Sequence, residues 1–224
     1  MFYLVTFIYI ILVIWAVKEV MSGDNKKYLI AKTTASFGFV VLGLYAFFVS
    51  HSELYLSFVS VYILCFLGDV LLGVAHEKKQ FFIPGMLFFL CSHFVLIGIF
   101  LGMRNEIFGA GIHFILASVI VGTLTLISSF FPKWMDYGHK KVPVIIYAYT
   151  VGMCGGCGLD LLLENIGGNP GYIMLGLGAF IFMISDCILC LKYFKVNKNR
   201  WYPPLVTTTY YIALYLISMF YLYI

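Results

Sequence analysis

Long apolar blocks alternate with short polar segments from one end of the chain to the other. The blocks cover about 2–17, 28–49, 55–75, 81–102, 107–131, 143–163, 171–193 and 202–224. Each is close to the ~20 residues that an α-helix needs to cross ~30 Å of hydrocarbon. The gaps between them are short and hold almost all the charge. This pattern predicts an all-α, polytopic membrane bundle of eight transmembrane helices, forming a single integral-membrane domain over 1–224. No stretch remains for a separate soluble domain, and there is no low-complexity tract or long linker.

Composition strengthens this reading. The chain is 62% hydrophobic and 11% charged, where soluble domains carry about 25% charged residues. The first block has no basic residue before it and Lys18 directly after it, the reverse of a signal peptide's charge order, so it reads as a retained helix. All six cysteines fall inside apolar blocks and suggest no disulfide framework.

Charge then sets an orientation. Of fourteen Lys and Arg, twelve lie at or beyond the ends of blocks one, three, five and seven; Arg104 stands alone on the opposite side and Lys32 lies inside block two. By the positive-inside rule the twelve-residue side is cytoplasmic, and both termini are non-cytoplasmic. Short juxtamembrane loops account for this basic charge, so no nucleic-acid partner is expected.

Two aspartates interrupt the apolar blocks. A helical rise of ~1.5 Å per residue places Asp69 roughly 10 Å, and Asp186 roughly 9 Å, from the cytoplasmic end of its span. Lys32 and Tyr147 lie at similar depth, and His93 and Tyr210 deeper. A charge in the middle of a span costs about 2.5–3.5 kcal/mol on insertion scales, so these groups should face inward together in the cytoplasmic half of the bilayer. Cys65, Asp69 and Gly73 share one helical stripe, and Gly85, Phe89 and His93 share another; small residues let helices approach closely around a site. Asp160, near the outer end of block six, reads as a solvated carboxylate. Cys154-Gly155-Gly156-Cys157 and Cys187-Ile188-Leu189-Cys190 have zinc-like spacing, but they lie at opposite ends of antiparallel spans, so no metal site and no cofactor are expected. The glycines between the first pair fit close packing or a kink.

Gly68-Asp69-Val70-Leu71-Leu72 and Ser185-Asp186-Cys187-Ile188-Leu189 are alike. Each is followed by a basic loop and an aromatic-x-Pro entry to the next span: Phe82-Ile83-Pro84 and Tyr202-Pro203-Pro204. The two spans point the same way, four helices apart, as in a parallel four-plus-four repeat.

Lys32, the Gly-Asp-x-x-Leu segment at Gly68, the Gly-x-x-x-Phe-x-x-x-His segment Gly85–His93, Ser185-Asp186 and Thr209-Tyr210-Tyr211 together give the chain a resemblance to the YhhN family of lysoplasmalogenase-like transmembrane proteins. Thr33, Leu96 and Leu214 depart from that pattern, where Pro, Tyr and Gln are common. The resemblance implies eight helices and hydrolysis of the vinyl ether bond of a lysophospholipid, the lysoplasmalogens. It makes Asp69 and Asp186 the catalytic pair, and Lys32, His93, Tyr147 and Tyr210 the groups that contact substrate, with no metal. Such chemistry needs one protonated acid and one carboxylate, a division of labour that two unequal aspartates supply. Which aspartate takes which part is open at this stage, and so is Lys32's choice between a substrate phosphate and a carboxylate. The other readings of intramembrane acids are a proton-coupled transporter, with the block-six glycines breaking a helix, and a lipid-binding receptor. Oligomeric state and the host membrane are not encoded in this pattern.

Overall fold

The computed structural model describes residues 2–50, 55–103, 112–130 and 134–223. Eight α-helices account for nearly all of them: α1 Phe2–Ser22, α2 Asn25–Ser50, α3 Tyr55–Val74, α4 Phe82–Met103, α5 Ile112–Phe130, α6 Lys141–Glu164, α7 Pro170–Phe194 and α8 Tyr202–Met219. Six of these, α1 to α4, α6 and α7, are long and apolar enough to cross a membrane. α8 has 18 residues but opens on prolines and carries Thr207, Thr208 and Thr209, which lower its hydropathy. The described part of α5 contributes a shorter apolar stretch, Phe114–Ser128. Residues 107–111 and 131 of the fifth block, with Arg104 and Lys133, lie outside the described residues.

Element boundaries follow local chemistry. α7 starts where the Asn169 side chain accepts from the Gly171 amide at 2.7 Å, with Pro170 in the first turn; this satisfies an amide that has no partner inside the helix. α1 runs five residues past the predicted end at 17, because Trp15 Nε1 donates to Glu19 one turn on, at 3.2 Å, and the helix needs no hydrocarbon to continue. Gly23, at φ 78°, makes the tight turn into α2, a conformation glycine adopts without strain.

Large apolar side chains point outward on every helix, among them Phe7, Phe37, Leu87, Phe94, Leu124, Ile184 and Ile212. A surface of that kind suits lipid, not water. The chain is an integral membrane protein. Its basic loops meet at one end of the bundle: Trp134 and Val196 are joined by a backbone hydrogen bond of 2.9 Å, Lys140 lies over the Phe82 ring at 4.2 Å, and Lys192 lies over the Tyr28 ring at 6.0 Å.

Among the described residues sequential helices pack as neighbours except α4 and α5, and the bundle is closed by contacts of α8 with α1 and α2 and of α4 with α6; the α2–α8 and α4–α6 contacts form a pair. Exchanging α1–α4 with α5–α8 interchanges those two contacts, as a parallel four-plus-four repeat requires. The α1–α8 contact has no α4–α5 counterpart among the described residues.

Glycines set the closest approaches. A Cβ at Gly68 would fall 2.7 Å from the Phe89 ring, and one at Gly85 would fall 3.0 Å from the Leu72 amide nitrogen, so α3 and α4 touch beside Asp69. In α6, a side chain at Gly156 would meet the Ala117 carbonyl of α5 and one at Gly158 the Gly176 carbonyl of α7, both under 3.0 Å. α6 is one unbroken helix of 24 residues through this run. The glycines serve packing, and the helix break on which the transporter reading drew is absent. The same packing buries Asp160, at 8% exposure, correcting its expected solvated position.

Candidate functional site

The six residues singled out in the sequence form two groups, each built around one aspartate. Asp69 on α3 is held by three side chains. Its Oδ2 accepts from Ser36 Oγ of α2 at 2.6 Å and from the Tyr210 hydroxyl of α8 at 2.7 Å, and its Oδ1 lies 2.9 Å from Lys32 Nζ. Lys32 therefore meets a carboxylate inside the protein. The Tyr211 hydroxyl donates to the Lys32 carbonyl at 2.9 Å and lies 2.9 Å from Ser36 Oγ, and Tyr9 donates to the Tyr211 carbonyl at 2.8 Å. Three donors, one of them a cation, make ionised Asp69 the favoured form; a proton on it would compete with these bonds.

Asp186 on α7 has different company. Its Oδ2 accepts from the Tyr147 hydroxyl of α6 at 2.9 Å and lies 3.3 Å from His93 Nε2 of α4. No lysine or arginine among the described residues pairs with it. His93 Nδ1 is 2.8 Å from the Phe89 carbonyl. A carbonyl only accepts, so Nδ1 carries a hydrogen and the neutral ring presents a lone pair at Nε2. That lone pair and a carboxylate oxygen at 3.3 Å repel each other, so the Asp186–His93 contact needs a proton on one partner. Asp186 Oδ1 has no hydrogen-bond partner among the described residues.

The two groups correspond under the helix exchange of the fold. Lys32 of α2 matches Tyr147 of α6, Asp69 matches Asp186, and Tyr210 of α8 matches His93 of α4. Between them stands Phe182, fully buried, with ring centroids 4.4 Å from His93 and 5.6 Å from Tyr210. One cation therefore separates two otherwise similar half-sites, and its effect is large: ionic interactions in apolar surroundings are several-fold stronger than in water.

Two cavities adjoin these groups. One, of about 540 Å³, is lined mainly by apolar residues such as Met86, Val144, Ala148, Val151 and Phe194, with Thr125, Tyr147, Asp186 and Tyr193 as polar groups at its wall. The other, of about 340 Å³, is lined by Tyr28, Lys32, Asp69, Ser185, Asp186, Thr207, Tyr210 and Tyr211. Leu72, Phe89, Asp186 and Leu189 border both. Asp186 is thus the one acid on the boundary between an apolar and a polar chamber.

Ser36, Tyr211 and Phe182 were not among the residues selected from sequence as site groups. Each had a signal: Ser36 follows Lys32 by one turn, Phe182 precedes Asp186 by one turn, and Tyr211 adjoins Tyr210. What hid them is their abundance as types, since serine and aromatics occur on every face of these helices. Cys154 and Cys157 are buried in the glycine-rich stretch of α6, and Cys157 Sγ lies 3.1 Å from Ser118 Oγ.

No curated protein and no solved structure matches the chain. A family model does match, over residues 39–220, a span that includes both aspartates, His93, Tyr147 and Tyr210 and leaves Lys32 and Ser36 before its start. The chain therefore belongs to the YhhN family.

Proposed function

We propose that the protein is a lysoplasmalogenase: an ether hydrolase that cleaves the vinyl ether bond of alkenyl-glycerophosphocholine or -ethanolamine to a fatty aldehyde and a glycerophospho-base. The observation that carries this reading is the position of Asp186, at the boundary of the two chambers and with a proton kept between it and His93. A lysolipid has the same division, an apolar chain and a polar headgroup, and its vinyl ether lies at the junction. Family membership supports the same class of activity.

The reaction follows from the protonation states. The proton held between Asp186 Oδ2 and His93 Nε2 passes to the β-carbon of the vinyl ether, the carbon away from oxygen. The double bond's electrons form the new C–H bond, and the ether oxygen shares its lone pair to give an oxocarbenium ion. The Asp186 carboxylate left behind is stabilised by the Tyr147 hydroxyl. Water adds to the cationic carbon and returns a proton to Asp186, with His93 as the adjacent acceptor. The hemiacetal then breaks its C–O bond to the glycerol: the hemiacetal hydroxyl loses its proton, the glycerol oxygen gains one, and one water has been consumed. Asp69, held ionised by Lys32, Ser36 and Tyr210, keeps a free acceptor position on Oδ1 for that water and places fixed negative charge near the developing cation. Glycosidases divide acid and carboxylate in the same way against a similar cation. The charge bias of the loops supports a site in the cytoplasmic half of the bilayer.

The test is turnover of purified protein across lysolipids with alkenyl, alkyl and acyl chains, read by mass spectrometry. Aldehyde release from the alkenyl lipid alone is expected, with a loss of about 10²–10⁴-fold in Asp186→Asn, the usual contribution of a general acid. Full activity in Asp186→Asn would overturn the mechanism.

A further inference from the structure

The polar cavity runs from Asp186 toward the Lys-rich end as far as Tyr28. On α7, Ser185 and Leu189 line it, and Lys192 continues the same helical stripe one turn further. Lys192 Nζ lies 6.0 Å from the centroid of the Tyr28 ring and 5.2 Å from that of Tyr193. Tyr28 is buried and lines the cavity, and the partly exposed Lys192 lies beside that ring, next to the mouth of the cavity.

The charges at this mouth do not balance. Lys32 is matched by Asp69, but no carboxylate among the described residues pairs with Lys192. Lys198 adds to the excess: its ammonium donates to the carbonyls of Lys192 and Tyr193 at 3.0 and 2.7 Å. His76, whose ring meets Tyr28 edge-on at 5.8 Å, lies just beyond α3. Desolvation first, then the charges of Lys192 and Lys32, lower its imidazole to about 4, so at pH 7 it is a neutral hydrogen-bonding group. An unpaired ammonium at the edge of hydrocarbon is a binding opportunity for an anion.

We infer that Lys192 binds the phosphate of the lysolipid substrate, and that Lys32, the other lysine at this cavity, serves Asp69 instead. This assignment rests on the lysoplasmalogenase reading for the identity of the lipid. Lys192 follows Asp186 by six residues, about 9 Å along the helix. In a lysolipid the ether oxygen and the phosphate ester sit at the two ends of a three-carbon glycerol. With the ether at Asp186 and the alkenyl chain in the apolar cavity, the phosphate points toward Lys192. A phosphate there meets an ammonium, the favoured charge-assisted contact.

The experiment measures binding and turnover side by side in detergent-purified protein. The binding probes are a non-cleavable alkyl-ether lysophosphatidylcholine, the 1-alkylglycerol that lacks its phosphate, and inorganic phosphate. Lys192→Gln is expected to weaken the lysolipid at least tenfold and to leave the alkylglycerol within twofold. Lys192→Arg should stay close to the native protein. Lys192→Met, which keeps the stem packed on the tyrosine rings, should behave as Lys192→Gln does. In turnover, KM for lysoplasmalogen rises while kcat holds. Equal weakening of both lipids, or no change in either, would overturn the assignment, as would inorganic phosphate competing as well as the lysolipid. Charge-dependent binding by native protein that cleaves nothing would leave the phosphate site standing and sink the hydrolase reading; cleavage indifferent to Lys192 would do the opposite.

Discussion

Asp69 and Asp186 are the same residue type on equivalent helices, and their neighbours give them different chemistry. Asp69 meets Lys32 at 2.9 Å, whereas Asp186 meets a tyrosine hydroxyl and an imidazole. The difference is testable through stability. Lys32→Met leaves Asp69 buried without its cation, a change that costs about 3–5 kcal/mol when one partner of a buried pair is removed. Thermal unfolding in detergent should show that loss, and the double variant Lys32→Met, Asp69→Asn should recover most of it. A double variant no more stable than the single would mean that the ion pair is not what holds Asp69. His93→Phe should keep the packing on Phe182, with a thermal midpoint near native. It should lose most turnover, because the imidazole that shares a proton with Asp186 Oδ2 is gone and only the Tyr147 hydroxyl is left there.

The helices bring these side chains together only because they approach closely at chosen points. Gly68 precedes Asp69, and α4 lies against it; a side chain there would meet the Phe89 ring and the Gly85 carbonyl and force α4 outward. Gly158→Val places methyl groups against the Gly176 carbonyl and the Ala179 methyl, and overpacking of this kind costs about 1–3 kcal/mol. Gly98 is the contrast, with nothing within 4 Å of a Cβ built there. Gly98→Ala should raise the thermal midpoint slightly, since alanine favours a helix by about 0.5–1 kcal/mol. Opposite signs for the two substitutions would separate packing glycines from lipid-facing ones.

For the whole molecule, the packing of two four-helix halves places one aspartate from each half beside the other, and a single lysine makes the halves unequal. Leu72 and Phe89 of the first half and Asp186 and Leu189 of the second line both cavities, so neither half has a complete site by itself. The basic loops share one end of the bundle, and their charge predicts that this end is cytoplasmic. A cysteine introduced as Lys78→Cys should react with a membrane-impermeant maleimide only after the membrane is opened. Labelling from outside intact cells would reverse the orientation and move the site to the other leaflet.

The sequence alone determined the solvent and the eight helices, because hydrocarbon thickness and the cost of charge act on each span separately. It also selected Lys32, His93, Tyr147 and Tyr210, because polar groups are rare enough in such spans to stand out. Tertiary structure decided the pairings: Lys32 with Asp69, and His93 and Tyr147 with Asp186. These depend on how helices far apart in the chain rotate and pack, and glycine contacts over a few ångströms set that rotation. It also buried Asp160 and kept α6 unbroken, since both follow from close neighbours that a single span does not contain.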